Sequence, residues 1–369
     1  MTKKRRIRAG ENGEQAMPPR VTVRDIAREV GLHFTTVARA LNNHPRLPPA
    51  TRQLVQDAAA RLGYTPDPML TALNAYRKTV RRPRYQATLA WIDNWPKRHL
   101  MFKYGEFREY HAGALKRASE LGYHLDEFWL HEAGMTPAKL RRVLKARNIQ
   151  GVIMPPQELP NTTIDFDMTG FAGVALGYTL ASPALDVVTN HQFRTMLLVL
   201  RHLDLLGYRR VAVCINREWN EKVGFNWKAA MNLAPDITDE RLQVFRIMTD
   251  NPRSVIDEAR AMDADVIVGH SYMRARLESV GMSFPCDIGF ASLSVFEDDP
   301  HTAGAAQSNH LIGRTAVDLV VDRLHRNAHG IPQLPAHTLI DSVWQSGATL
   351  RAHIVSPPRE RPPSVLRNR

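Results

Sequence analysis

Cysteine is scarce in this chain, with only Cys214 and Cys286 among 369 residues. That excludes a disulfide-stapled scaffold and reads as a buried, reduced pair of a cytoplasmic protein. No apolar run approaches the roughly 20 residues that a membrane-crossing helix needs. The basic start KKRRIR leads into the polar ENGEQ rather than a hydrophobic leader. A G-x-S-x-G elbow, a P-loop and an H-E-x-x-H pair are also missing, so no enzyme, cofactor or metal is expected. His325 and His329 have metal-compatible spacing. However, they close a helix before Gly330, where an imidazolium suits the helix dipole, and read as a solvated helix end.

Acidic residues are in short supply as well, at 37 against 49 Lys and Arg, for a net charge of +12. The shortage is local. Residues 1–82 hold 16 basic and 6 acidic residues and residues 355–369 hold 4 and 1, leaving −1 for everything between. A basic footprint confined to one segment and the tails is what neutralisation of nucleic-acid phosphates requires.

What is present begins with Val21 to Leu47, VTVRDIAREVGLHFTTVARALNNHPRL. Thr22 can cap a first helix with Asp25 in its acid-favouring first turn, and Ile26, Ala27 and Val30 fall on one face. Gly31 supplies a left-handed stop. A second helix over about Phe34 to Asn42 turns Val37 and Leu41 inward, leaving Phe34, Thr35, Ala38 and Arg39 outward. A third, from Pro49 to Leu62, offers Leu54, Ala58 and Leu62 to a small core. Two short helices joined by a tight turn are a helix-turn-helix, a shape that fits the DNA major groove.

Downstream, apolar strand-like runs alternate with amphipathic helical ones. ATLAWID, YHLDEFWL, GVIM, FAGVAL, the pair Val187-Val188, RVAVCI, LQVFRI, DVIVG, CDIGFAS and HTLIDS read as strands. Helices are expected near 107–121, 137–146, 193–206, 227–231, 252–262, 273–280 and 310–325. Repeated βα units imply parallel sheets covered by helices.

The spacing of Thr22, Asp25, Ile26, Ala27, Gly31, Thr36, Val37, Arg39, Leu41, Asn42, Thr51, Arg52, Gly63, Tyr64, Pro66, Asp67 and Leu73 resembles the headpiece of the lactose-repressor (LacI/GalR-type) bacterial regulators. EYHAGALKRASELGYHL, RNIQGVIM, RHLDLLGYRRVAV, DIGFASL and SNHLIGRTAVDLVVDRL are similar to the effector domain of the same regulators. The resemblance implies an all-α helix-turn-helix headpiece plus an α/β, two-lobed, periplasmic-binding-protein-like effector domain. Its divisions would be a disordered basic arm (1–20), the headpiece (21–66), a hinge helix and linker (67–85), an effector-binding and dimerisation body (86–354) and a disordered tail (355–369).

Roles follow position by position from that resemblance. Phe34, Thr35 and Arg39 would read base edges, and a bidentate Arg39–guanine contact is worth ~1–3 kcal/mol of discrimination. Thr22, Thr36, Asn42 and Thr51 would contact phosphates. Leu70 and Leu73 would enter the minor groove at the operator centre. Asp93, Asn94, Trp95, Lys222, Trp227, His270 and Ser294 are candidates for the effector cleft. The chain departs from the family at His33, where a serine usually caps the recognition helix, and at Ala38, usually a serine. It departs again at Val223, His270-Ser271 and near Ser294, where arginine, Asn-Asp and Asp pairs often anchor sugars. The expected protein is a nucleoid-associated homodimer on a pseudo-palindromic double-stranded DNA operator, probing a small-molecule effector and keeping clear of membranes. A solute-binding or sensory protein with a vestigial headpiece is the alternative.

Overall fold

The computed structural model describes residues 21–41, 47–64, 87–296 and 298–351. The chain divides into two compact units, 1–81 and 82–369.

In the first unit three helices, α1 (Val23–Val30), α2 (Phe34–Leu41) and α3 (Pro49–Leu62), follow from their end residues. The Asp25 carboxylate accepts from Thr22 N (2.9 Å) and Thr22 Oγ1 (2.6 Å), closing the first turn of α1. Gly31 ends α1 at φ 65° and Gly63 ends α3 at φ 69°, conformations that cost glycine no steric penalty. The core is Ile26, Ala27, Val37, Ala40, Val55, Ala58 and Ala59, with Leu41 and Leu62 packed at its edge. Leu54 does not join it and is 51% exposed. Four alanines bring the helices close enough that the compact Val55 fits between them, and the neighbouring leucine is left on the shoulder.

The second unit holds two six-stranded sheets. The first takes strands from β1 (Ala87–Asp93), β2 (Tyr123–Trp129), β3 (Gly151–Met154), β5 (Ala172–Leu176), β7 (Asp186–Asn190) and β13 (His337–Ile340), in the order β13-β7-β5-β3-β1-β2. The second takes β8 (Arg210–Cys214), β9 (Gln243–Ile247), β10 (Val266–Gly269), β11 (Gly289–Val295), β12 (Gly304–Ala306) and β14 (Val343–Gln345), in the order β14-β12-β11-β10-β8-β9. All pairings in both sheets are parallel except β12 with β14. Parallel strands need helical crossovers and are buried on both faces, which explains near-continuous runs such as GVIM and GFASLSV. A small pair, β4 (Thr162–Thr163) with β6 (Leu180–Ser182), sits apart from both sheets.

Each sheet is the centre of a lobe. The chain passes between lobes after β7, after β12 and between β13 and β14. Two helices of the first lobe, α4 (Gly105–Glu120) and α12 (Asn309–His325), touch backbone to backbone. A Cβ at Gly113 would lie 2.1 Å from His310 O, and one at Gly313 would lie 1.8 Å from Tyr110 O. Asn190 Nδ2 donates to Tyr110 Oη (3.0 Å), to Asn309 Oδ1 (3.2 Å) and to Gln307 Oε1, tying the first two crossings together. Arg194 with Asp341 (2.8 Å) and Thr195 with Ser342 (2.7 Å) secure the third.

Besides Leu54, the cysteines and the end of α12 differ from expectation. The cysteines are not a buried pair: Cys214 is buried and its thiol is pushed up by burial, while Cys286 is exposed because its strand starts only at Gly289. The end of α12 is only partly solvated. His325 is exposed, but His329 is half-buried, and burial, followed by the Arg323 charge, lowers its pKa. No helix among the described residues is long and apolar enough to cross a membrane.

Candidate functional site

The first candidate surface is the outer face of α2. Phe34 is 46% exposed and Thr35 and Arg39 are also exposed, while Val37 and Ala40, on the opposite face, are fully buried. The i, i+3, i+4 spacing that seats the core therefore presents the other three side chains outward. Thr22 is exposed, and Thr36 and Thr51 are half-buried around this face. Asn42, Leu70 and Leu73 lie outside the described residues. His33 takes over part of the missing serine's work: its Nδ1 accepts a long bond from Thr35 N (3.4 Å) and lies 2.8 Å from Thr35 Oγ1. Its ring also leans on Phe34, with centroids 4.5 Å apart. The Thr35 hydroxyl is thus engaged within the headpiece itself.

The second candidate lies within the body. The carboxyl ends of the parallel strands of both lobes point at a common cleft, the place where ligands bind in open α/β sheets. There Trp95 follows β1, Gln157 follows β3, Tyr178 and Thr179 follow β5, His270 follows β10 and Gln307 follows β12. They line a cavity together with Tyr104, Phe107 and Tyr110 near the start of α4 and Trp219, Lys222, Val223 and Trp227 of the second lobe.

Of the cleft residues expected from sequence, Trp95, Lys222, Trp227 and His270 line this cavity. The other three stand behind its wall. Asp93 is buried and accepts from Trp95 N (2.9 Å), bending the chain after β1, and burial raises its pKa. Asn94 donates to Gln157 Oε1 (3.1 Å). Ser294 is fully buried within β11 beside Glu106. Two tryptophans are fixed by their ring N–H, Trp95 to Pro156 O (2.8 Å) and Trp227 to Gln192 Oε1 (2.9 Å). Trp219 is stacked on His270 (5.1 Å) with Lys222 Nζ 5.0 Å from its centre.

Sequence reasoning passed over Glu106, which is almost completely buried with its Oε1 2.8 Å from His270 Nε2. Burial alone would raise its pKa; the His270 charge and hydrogen bonds outweigh that and hold it below the ordinary carboxylate range. Burial pushes up the Tyr110 and Tyr178 hydroxyls, aided at Tyr110 by the Glu106 and Glu109 charges. Glu106 sits in the first turn of α4, where an acid is ordinary, so nothing local distinguishes it. Among the described residues no group of three or more His, Cys, Asp or Glu is arranged to hold a metal ion.

Residues 22–67 match the family described as "Bacterial regulatory proteins, lacI family". The HTH-type transcriptional regulator GalS of Salmonella typhimurium is 43% identical over 53 residues, 14% of this chain and 16% of the length of that relative. The chain's match thus spans about a sixth of that protein. Among solved structures, a complex of the transcriptional regulator CelR with cellobiose superposes with TM-score 0.52 at 18% identity, over 89% of this chain and all of that one. The lac repressor dimer bound to operator and the anti-inducer ONPF gives 0.51 at 16% identity, over 90% and 99%. At these identities the two structures establish the fold: a helix-turn-helix headpiece followed by a two-lobed, periplasmic-binding-protein-like body.

Proposed function

We propose that this chain, which carries the headpiece of the lacI family of bacterial regulatory proteins, is a sequence-specific transcriptional regulator whose hold on DNA is set by a small molecule in the interlobe cavity. The observation that carries the reading is the exposed Phe34, Thr35 and Arg39 on a capped second helix, within the segment that holds most of the basic excess. Arg39 reads a guanine edge, Phe34 packs on a thymine methyl and Thr35 bonds a base edge once freed from His33. Thr22, Thr36, Asn42 and Thr51 orient the module on phosphates. Leu70 and Leu73 wedge the minor groove at the centre of the site.

The molecule acts as a homodimer, since two headpieces on a pseudo-palindrome match the symmetry of such a site. It represses transcription, and a sugar or related metabolite alters the lobe arrangement and so the hinge. The domain divisions expected from sequence belong to the same proposal. So does the placement at the nucleoid in the cytoplasm.

Selection of genomic fragments on the purified protein at stated salt tests this. Enrichment of one pseudo-palindrome with a flexible central step supports it. Retention that is only salt-sensitive and sequence-blind favours instead a solute-binding protein with a vestigial headpiece.

A further inference from the structure

Two short helices, α7 (Arg217–Lys222) and α8 (Asn226–Met231), form a wall in the second lobe just past β8. Trp219, Lys222, Val223 and Trp227 face the interlobe cavity from this wall. Arg217, Asn220, Glu221 and Lys228 line a second cavity, completed by Ile215 after β8, by Phe225 between the helices, and by Arg246 and Met248 at the end of β9. No residue lines both cavities.

The second cavity is basic. Arg217 Nε lies 2.8 Å from Glu221 Oε1, so those two charges offset each other. Lys228 and Arg246 are exposed, and among the described residues neither side-chain cation has an ion pair or hydrogen bond. Three cations against one carboxylate leave two positive charges in excess, whereas residues 83–354 as a whole sum to −1. A buried donor lines the same cavity. Asn220 is 6% exposed and its Oδ1 accepts from Lys228 N (3.3 Å), while its Nδ2 has no hydrogen-bond partner among the described residues. Apolar surface is displayed beside these groups. Phe225 holds φ 60°, a left-handed backbone that a bulky residue adopts only at a cost, and its side chain is nonetheless half exposed. Met248 is exposed as well.

We propose that this second cavity binds a small phosphate monoester with an apolar or ring-shaped body, at a site separate from the interlobe cavity. A phosphate monoester carries about −1.5 to −2 charge near neutral pH and three strong acceptor oxygens. That charge matches Lys228 and Arg246, whose bonds to phosphate belong to the stronger, charge-assisted kind. Asn220 Nδ2 adds a neutral donor, which removes the cost of leaving a buried amide unpaired. The carbon portion covers Phe225 and Met248 and takes their apolar surface out of water. Glu221 is held on Arg217, which blunts its repulsion of the anion. A carboxylate answers only one of the two free cations, and a neutral ligand answers neither. Because α7 and α8 carry residues of both cavities, a ligand drawn against Asn220 and Lys228 also bears on Trp219 and Trp227 behind them.

The test uses the full-length protein and a series matched in shape and stepped in charge: phenyl phosphate, benzoate and phenol, with inorganic phosphate as the anion alone. Binding is read from tryptophan fluorescence and thermal shift. All six tryptophans lie beyond residue 86, so an anion held by the basic headpiece gives no direct fluorescence signal. Phenyl phosphate is expected to saturate, with benzoate and inorganic phosphate each at least about tenfold weaker and phenol weaker still. Lys228→Met and Arg246→Met each remove one exposed cation without touching the core, and each should weaken phenyl phosphate about tenfold or more. Lys228→Arg should restore most of that loss. Lys222→Met, on the other side of the wall, should leave phenyl phosphate affinity unchanged. The proposal is overturned if phenyl phosphate fails to saturate or binds no better than benzoate. It is overturned as well if Lys228→Met and Arg246→Met bind phenyl phosphate as wild type does. Loss of binding in Lys222→Met would also overturn it, since the anion would then sit in the interlobe cavity.

Discussion

The headpiece and the body draw their functional surfaces from very different spans of chain. The exposed face of α2 is contained in Phe34 to Arg39, and its core comes from three helices between Val23 and Leu62. The cavity in the body is assembled from residues between Trp95 and Gln307, contributed by both lobes. One surface is set by helical periodicity and end capping, the other by how strand ends converge. Changes in the headpiece should therefore act locally, and changes in the body should propagate.

The largest expected effect is in the body. In Gly313→Ala the new methyl meets the Tyr110 carbonyl, where backbone faces backbone and no side chain can yield. A loss of about 3 kcal/mol or more is expected from such overpacking. All six tryptophans lie beyond residue 86, so fluorescence-detected urea unfolding reports the body alone. A midpoint equal to wild type would show that α4 and α12 can separate without cost. Cavity binding should fall with it.

Arg39→Ala should do the reverse, weakening the selected operator about tenfold to a hundredfold, or ~1–3 kcal/mol, while fluorescence unfolding stays put. Titrating both proteins with operator and with a scrambled duplex at fixed salt checks this. Equal losses on the two duplexes would demote Arg39 to a phosphate contact.

A smaller gain is expected from His33→Ser. A serine can accept from the backbone at the start of α2 more squarely than the 3.4 Å imidazole contact, stabilising the headpiece by about 0.5–1 kcal/mol. It also releases the Thr35 hydroxyl. Thermal melting of headpiece amide signals by NMR reads the first effect, and operator affinity reads the second.

The smallest effect is a pH limb. Asp25 is held below its usual range by the Thr22 hydroxyl, then by the Thr22 backbone N–H. Because its folded pKa is depressed, its contribution is fully present above the unfolded carboxylate range and is lost as pH falls through the lower folded value. Asp25→Asn should remove that limb from headpiece melting between neutral and acid pH without altering body unfolding.

Much of the headpiece was legible because its determinants are near neighbours. Thr22 with Asp25, Gly31, and Val37 opposite Arg39 interact across one turn of helix. The error at Leu54 came from reading α3 alone, since the choice of Val55 belongs to the spacing of three helices. In the body, the alternation of strands and helices was legible as runs of apolar residues. The short strands β12 and β14 were not, because GAA and VWQ become strands only through pairing with each other and with β11. Trp95 and His270 reach the cleft because each closely follows a strand, and Lys222 and Trp227 reach it from two short helices further along the second lobe. Asp93, Asn94 and Ser294 shared that logic, but their side chains turn into the wall.

The sequence by itself determined the basic headpiece, its caps, its outward face and the alternating body, because each depends on residues within a turn or a strand of one another. The tertiary structure decided which strand ends meet, that two glycines let α4 and α12 touch, and that Glu106 is buried against His270. Those outcomes depend on groups far apart in the chain, and a first-turn glutamate carries no local sign that the opposite lobe will close over it.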